Sequence, residues 1–443
     1  MKLNKILMGM IALLGTAGLA QAQTSVEITG ATAFRAATLN TIKARFAAGG
    51  NYRYGHNGTS FTSSNQAVFE GTFPGVGGTT VVRTSFNGSV EGVNALVNAV
   101  HASYINPADL TGAFGATPSA QTGMSPSQSV QADIAFSDVS IASTPYSGQA
   151  SSVAPASAGV GVVVFTMIKG EGGAAALTNI TNKQFQALFT AGIEKLSLFT
   201  GNPADANSFV FAAGRNDGSG TRTTYMAETG TGITTLVNQY IGRVSGLVTD
   251  SSARVTHLQL AGTSGSNFNA GSNISTVWGQ NLPGNGGYSS GSSLQTLLGI
   301  SSQSVDVYLD DTADVNGTDN TFGTVDDAAP DFDDEPITLV TFLTVSDSVA
   351  AITNGASALT FNGVGITPAS PLSAGDQDKI ARGQYTAWGN QQMYRRASGL
   401  SGSELTVEGD LRTNIPANIG VTGIPSSTMQ VTRNVDGGVI TSN

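Results

Sequence analysis

The residue types best suited to chemistry stand together in one short turn, Arg-Asn-Asp-Gly-Ser-Gly-Thr at positions 215–221. Gly218 and Gly220 allow the backbone to approach a ligand closely. A helix expected to begin near Thr221 would direct free N–H groups and the positive end of its dipole at this turn. The backbone of the turn is therefore suited to binding an anion.

The side chains of the same turn predict the same chemistry. Ser219 and Thr221 add hydroxyl donors, and Arg215 offers a planar fork that matches two oxygens of an oxyanion. We expect Asp217 to hold the guanidinium in place and to neutralise part of its charge. Taken alone, the Gly-Ser-Gly segment also fits an ordinary turn without a ligand. Arg215 alone also fits a surface ion pair.

Strands and helices alternate around this turn and would position it. Residues 25–29 alternate like a strand, and a glycine turn leads from them into apolar residues at helical spacing. Residues 160–168 form a continuous apolar run that is typical of a buried parallel strand. Residues 209–213 form a strand that enters the turn at Arg215. This order predicts an α/β fold with parallel sheets of the doubly wound kind.

The turn at 215–221 resembles the ligand loop of the periplasmic phosphate-binding proteins of ABC transporters. Four further segments match that family in the same order, over roughly residues 25 to 230 and one later stretch. They are Gly88-Ser89-x-x-Gly92-Val93, Ser137-Asp138, residues 159–169 with 177–185, and residues 380–394. The resemblance implies a type 2 periplasmic binding protein fold, with two α/β lobes and a ligand cleft between them.

The resemblance also implies which residues bind the ligand. Arg215, Ser219, Gly220 and Thr221 would hold the anion from one lobe. Ser89 would donate its hydroxyl and amide from a helix start on the other lobe, although its type also fits a simple helix cap. Asp138, which also fits a turn cap, would accept a hydrogen bond from a ligand proton. That arrangement would admit protonated phosphate and reject fully ionised sulfate.

The first loop departs from the family pattern, because this chain has Gly-Ala-Thr-Ala-Phe-Arg at positions 30–35. If Phe34 is the anchor of the loop, Ala33 replaces a hydroxyl donor of the family. A shift of one residue would bring Thr32 into the site instead. Arg35 would add a positive charge that the family does not use at this position.

The chain divides into a leader, two lobes and an insertion. Residues 1–22 have the positive, apolar and small-residue regions of a signal peptide, with cleavage expected before Gln23. We expect lobe I to comprise residues 24–163 and 389–443, and lobe II to comprise residues 164–388. An acidic insertion at about 306–335 lies within lobe II. The two crossings between the lobes would act as a hinge.

Composition limits the partners. The net charge of −10 argues against nucleic acid, and the absence of cysteine means that a secreted chain has no disulfides. We expect a periplasmic or secreted monomer whose partners are inorganic phosphate and a membrane ABC permease. Neither a cofactor nor enzymatic activity is expected, because no catalytic or nucleotide-binding motif is present.

Two other functions remain open. An extracellular structural or adhesive protein on the same fold would use its polar surface and the acidic insertion to contact a polymer or a calcium-dependent partner. The spacing around Asp314–Asp319 is only loosely similar to a calcium loop, because the central glycine and the acidic twelfth position do not fall in the right places. A secreted phosphatase would show turnover of phosphoesters. The three histidines, at 56, 101 and 257, are isolated in sequence and are interpreted as structural or surface residues.

Overall fold

The computed structural model describes residues 23–155, 159–245, 254–261, 286–288, 290–300, 302–309, 329–421 and 423–443. The signal peptide predicted at 1–22 lies outside these residues. Residues 310–328 of the acidic insertion, with their calcium-like spacing, also lie outside them. Both assignments therefore stay predictions.

The chain forms an alternating series of strands and helices. The strands are β1 (Thr24–Gly30), β2 (Tyr52–His56), β3 (Gln66–Gly71), β4 (Thr80–Phe86), β5 (His101–Tyr104), β6 (Gln128–Gln131), β7 (Ile134–Ser137), β8 (Val153–Ala154), β9 (Gly159–Lys169), β10 (Asn179–Ile180), β11 (Ile193–Lys195), β12 (Phe209–Ala212), β13 (Tyr240–Ser245), β14 (Arg254–Leu260), β15 (Val305–Tyr308), β16 (Phe332–Glu335), β17 (Thr338–Thr344), β18 (Ser357–Phe361), β19 (Trp388–Arg396), β20 (Gly423–Ile424), β21 (Val431–Thr432) and β22 (Thr441–Ser442). The helices are α1 (Arg35–Gly49), α2 (Ser89–Val97), α3 (Asn182–Ala191), α4 (Ser197–Thr200), α5 (Gly220–Glu228), α6 (Gly291–Leu298), α7 (Val345–Thr353), α8 (Ala374–Ala381) and α9 (Gly402–Asn414).

One large sheet runs through the molecule in the order β11-β12-β17-β9-β19-β7-β1-β4-β3-β2. Strand β1 pairs in parallel with β4 and β7, and β12 pairs in parallel with β17. The other neighbours along this order are antiparallel. The expected α/β class is confirmed, but the sheet is mixed and not uniformly parallel.

Two lobes pack on this sheet around separate apolar clusters. In lobe I, helix α1 covers β1, β3 and β4, with Phe34, Phe46 and Phe69 among the buried residues. In lobe II, α3 and α5 pack on β9, β12 and β17, where Phe185, Tyr225 and Phe342 are buried. A further cluster in lobe II joins the sheet to α6 and to the small sheet β13-β14-β15-β16. The two-lobed α/β architecture is thus present.

Strand β9 connects the two lobes. Its first half, up to Val164, pairs with β19, and its second half, from Phe165, pairs with β17 and β18. All of these pairings are antiparallel, so the expectation of a parallel strand at 160–168 is wrong. A continuous apolar run indicates that both faces of a strand are buried. This is true of a central strand that crosses between two lobes as well as of a parallel strand.

The C-terminal tail, residues 423–443, contacts lobe II, whereas the sequence assigned it to lobe I. Ile424 is buried in the lobe II cluster, and Val431 and Ile440 pack against that cluster, although strand β20 itself pairs with Val162 and Val163 in the first half of β9. The tail also reaches lobe I, because the Ser140 amide and hydroxyl donate to Asp436 Oδ2 at 2.8 and 3.0 Å. The preceding helix α9 packs on α1 of lobe I.

Polar residues at the strand ends start the helices that follow. Thr181 forms a capping box with Gln184 at the start of α3. Ser219 caps α5, and Thr344, the last residue of β17, caps α7. Within the described residues, every helix is too short or too polar to cross a membrane.

Candidate functional site

The carboxyl ends of β1, β4 and β7 meet at one edge of lobe I. The Gly30 oxygen accepts hydrogen bonds from the Asn87 and Gly88 amides at 3.0 and 2.9 Å, and the Ala31 amide donates to the Phe136 oxygen at 2.8 Å. Gly30 has a φ of +105°, and a Cβ there would lie 2.0 Å from the Phe136 oxygen. Only glycine fits such a position, and it brings the three turns together.

Ser89 and Asp138 are in direct contact at this edge. Ser89 is fully buried, and its Oγ accepts a hydrogen bond from the Asp138 amide at 3.0 Å. Ser89 is the first residue of α2, with Gly88 at the N-cap, so its hydroxyl is not used as the helix cap. The pair places one hydroxyl and one carboxylate beside the free amides of a helix start.

The turn at 214–219 lies at the facing edge of lobe II, after β12. The Arg215 Nε donates to the backbone carbonyl oxygen of Tyr288 at 3.0 Å, and the Asn216 amide donates to the same carbonyl oxygen at 3.1 Å. Arg215 is only 3% exposed. These contacts with Tyr288 fix the guanidinium in a buried position at the carboxyl end of the strand.

Helix α5 begins at Gly220, one residue before the expected start. The Ser219 hydroxyl accepts from the Arg222 amide at 3.3 Å and therefore caps its own helix. Ser219, Gly220 and Thr221 are all buried. The Thr221 hydroxyl points to Asp138 Oδ2 at 3.5 Å, so α5 of lobe II contacts the carboxylate of lobe I.

The starts of α2 and α5 touch across the two lobes. A Cβ on Gly220 would lie 2.1 Å from Ser89 Oγ and 3.0 Å from the Asp138 Cβ. The Val90 amide donates to the Gly218 oxygen at 3.2 Å. Two helix N-termini with their partial positive charges therefore converge on one point between the lobes.

Charges of both signs are buried at this point. Burial raises the pKa of Asp138 to about 7, and the Arg215 charge opposes that rise. Burial lowers the pKa of Arg215 to about 10, opposed by the charges of Asp347 and Asp138. Asp138 Oδ1 is buried and has no hydrogen-bond partner among the described residues. The site thus combines a desolvated cation with a carboxylate oxygen that still has an acceptor position.

Asp217 does not occupy the place expected for it. Its side chain is exposed, and its charge acts on Arg222. The carboxylates whose charges act on Arg215 are Asp347 and Asp138. Because α5 starts at Gly220, the turn directs Asp217 outward, where Asp217 and Gly218 line a cleft of about 270 Å³.

The first loop packs between the lobes. Phe34 is buried in the lobe I cluster, in agreement with an anchoring role, and Ala33 is buried against the lobe II cluster. Thr32 is the hydroxyl residue of this loop and is partly exposed. Its backbone carbonyl oxygen accepts a hydrogen bond from the Arg35 amide at 3.3 Å. Neither Ala33 nor Phe34 brings a polar side chain to the site.

The structure adds Asp347 and Tyr288 to the residues found from sequence. Asp347 lies in the first turn of α7, where its amide donates to Thr344 Oγ1 and its Oδ2 accepts from the same hydroxyl at 2.9 Å. The strand-Thr-x-x-Asp pattern at 338–347 is a helix-start signal that could have indicated it. Tyr288 follows a glycine-rich stretch and had no such signal.

No family model and no curated protein matches this chain. Among solved structures, it is similar to a substrate-binding protein assigned to a phosphate ABC transporter of Clostridium perfringens, solved with phosphate bound. The identity is 12%, the TM-score is 0.43, and the match covers 90% of this chain and 100% of the other.

Two further solved structures are similar at the same level. An ABC-type phosphate transport receptor from Vibrio cholerae has 11% identity and a TM-score of 0.42, over 89% of this chain and 97% of the other. PstS from Borrelia burgdorferi has 12% identity and a TM-score of 0.35, over 90% and 97%. At such values, the function has to be argued from the residues of this chain.

Proposed function

We propose that the protein binds inorganic phosphate, a tetrahedral oxyanion, between its two lobes and performs no chemistry on it. The observation that carries this proposal is the convergence of two helix starts from opposite lobes, at Ser89 and Gly220, beside buried Arg215 and Asp138. Helix N-termini are general anion sites, because their amides and dipoles both favour negative charge.

The donors would share the anion between the lobes. The Ser89 hydroxyl and amide would bind it from lobe I, and Arg215, the Thr221 hydroxyl and the amides of Gly220 and Thr221 would bind it from lobe II. Hydrogen bonds to a charged group contribute about 1.5–3 kcal/mol each. Because these groups are buried, closure of the lobes would exclude water and strengthen each bond.

Asp138 would distinguish phosphate from sulfate. Its Oδ1 is buried without a partner, so a ligand that donates a proton would satisfy it. Phosphate near neutral pH retains a proton, and sulfate has none. A sulfate would place an oxygen against this carboxylate and would be rejected by an unpaired acceptor and by charge repulsion.

We further propose that the protein is a type 2 periplasmic binding protein, monomeric and exported to the periplasm, that delivers its ligand to an ABC permease. The lobes would divide near 163/164 and 388/389, where β9 and β19 cross. Bending of these two strands would open and close the cleft. The pairing of β9 with β19 in its first half and with β17 in its second half supports this division.

Calorimetric titration with phosphate and then sulfate tests the proposal. The mature protein would first be stripped of anion by partial unfolding and dialysis. Replacing Arg215 with Ala should weaken phosphate binding at least about 30-fold, because truncating a buried charged partner costs about 2–5 kcal/mol. Arg382→Ala is the matched control, since the Arg382 side chain is 56% exposed, and it should bind phosphate normally.

Each outcome is decisive. One-to-one phosphate binding that sulfate does not displace, and that the Arg215 variant loses, supports the transport role. Folded wild-type protein that binds neither anion overturns it and leaves the extracellular structural or adhesive role. Release of phosphate from phosphoesters would overturn the claim that no chemistry occurs.

A further inference from the structure

Arg35 begins at the same edge of lobe I as Ser89 and Asp138. It is the first residue of α1 and follows the loop that leaves β1 at Gly30. The Gly30 oxygen is hydrogen-bonded to the Asn87 and Gly88 amides, at the start of α2. The backbone of Arg35 therefore lies at the same edge of lobe I as the other groups of the proposed anion site.

The Arg35 guanidinium is incompletely satisfied. Its Nη1 donates to Asn65 Oδ1, while its Nε is buried without a hydrogen-bond partner in the described part of the chain. None of the ion pairs formed by described residues includes Arg35. A buried guanidinium N–H without a partner is unfavourable, so among the described residues this Nε is available to donate to an acceptor of a bound ligand.

Asp347 interacts electrostatically with both Arg35 and Arg215. The charge of Asp347 raises the pKa of both arginines, against the lowering caused by burial, and the two arginines repel each other. Arg215 and Asp347 follow the carboxyl ends of the neighbouring parallel strands β12 and β17. One guanidinium from each lobe thus lies near the same carboxylate, at the edge where the lobes meet.

We propose that Arg35 is a second cationic donor to the bound anion and makes the site selective for tetrahedral oxyanions that carry two negative charges. This inference rests on the proposed function and narrows its ligand class. Without Arg35, Arg215 alone would face the two carboxylates Asp138 and Asp347. Electrostatic attraction scales with the ligand charge, so a dianion gains about twice as much free energy from Arg35 as a monoanion does.

Phosphate itself tests this selectivity, because it is mainly a monoanion near about pH 5.5 and mainly a dianion near about pH 8. Arg35→Gln should weaken phosphate binding about 10- to 100-fold at the higher pH, and by about the square root of that factor at the lower pH. The charged groups of the site, Asp138, Asp347 and Arg215, are present in both proteins. Because the Arg35 charge lowers the pKa of Asp347, the comparison is repeated with Asp347→Asn in both proteins, where Arg35→Gln should produce the same two losses.

Two further variants separate charge from structure. Arg45→Gln removes an arginine from the same helix, where it pairs with Asp410, and should leave both affinities unchanged. Arg35→Lys keeps the charge but loses the planar fork, so it should weaken binding less than Arg35→Gln and preserve the preference for the dianion. If Arg35→Gln does not fold, loss of that preference in Arg35→Lys overturns the inference, and its retention with weaker binding supports it.

The outcomes distinguish this inference from the proposed function. Wild-type protein that binds no phosphate refutes the proposed function itself. Normal wild-type binding together with unchanged binding by Arg35→Gln refutes only the role of Arg35. An equal loss at both pH values also refutes it, because a merely structural residue would affect both ligand charges alike.

Discussion

Replacing Asp138 with Asn tests whether the buried carboxylate of the site opposes folding. Asp138 is 2% exposed, and burial raises its pKa from 3.8 to about 7. Because the pKa is higher in the folded than in the unfolded protein, the folded state binds the proton more tightly. The resulting stabilisation is complete below the unfolded pKa of 3.8 and is lost as the pH rises through about 7.

The size of this loss follows from the two pKa values. At about 1.4 kcal/mol for each pH unit, the interval from 3.8 to about 7 corresponds to about 4 kcal/mol. Asparagine has a similar shape and no charge to desolvate. The unfolding free energy of Asp138→Asn, minus that of the wild type, should therefore increase by about 4 kcal/mol between about pH 4 and about pH 8.

Urea unfolding of the anion-free proteins at several pH values measures this difference. Constant effects of the substitution cancel when only the pH dependence is compared, and the other carboxylates titrate in both proteins. Asp333→Asn, at an exposed position, is the control and should give a difference that changes by less than about 0.5 kcal/mol. A flat difference for Asp138→Asn would refute the reasoning, because Arg215 would then compensate the buried charge completely.

Two other substitutions test the contact between the lobes and the tail. Gly220→Ala would place a Cβ 2.1 Å from Ser89 Oγ, so the lobes should stay apart, with phosphate binding at least about 10-fold weaker and a larger radius of gyration in X-ray scattering. Gly402→Ala is the control, because Gly402 is the first residue of α9 and no atom lies within 4 Å of a Cβ there. This variant should change neither the phosphate affinity nor the radius of gyration. Equal behaviour of the two variants would contradict the contact between Gly220 and Ser89. Arg433 and Glu228 form a 2.7 Å ion pair, and their side chains are 2% and 9% exposed, respectively. Arg433→Met would leave the buried Glu228 carboxylate unpaired and should lower the free energy of unfolding, measured in urea, by about 3 kcal/mol. Adding Glu228→Gln should restore part of that loss, and a loss below about 1 kcal/mol in the single variant would contradict a stabilising pair.

The turn around Arg215 could be found from sequence because its signals are local. Strand, glycine turn and helix start are adjacent along the chain, and α5 starts at Gly220, next to the predicted position near Thr221. The start at Gly220 nevertheless determines that Ser219 becomes the cap and that Asp217 is directed outward. Turn chemistry predicts the backbone of a site better than it predicts the direction of each side chain.

The contacts that assemble the site could not be read from local signals. Ser89, Asp138 and Asp347 come from three different strand ends, and their meeting depends on how the sheet is ordered. The ambiguity of the run at 160–168 has the same origin, since burial on both faces makes parallel and antiparallel strands look alike. The tail was misplaced because its few apolar residues, such as Ile424 and Ile440, do not indicate which cluster they join.

The tail adds a mechanical consequence to the architecture. Arg433 stacks on Trp388 at 3.9 Å from the ring centre and pairs with Glu228 of α5, and three residues later Asp436 binds the turn at Ser140. One short segment thus spans the first residue of β19, the far end of the helix that begins at Gly220, and the turn two residues beyond Asp138. Rotating the lobes apart would stretch this segment or break its bonds, so under the proposed function the last dozen residues would slow the release of the bound anion.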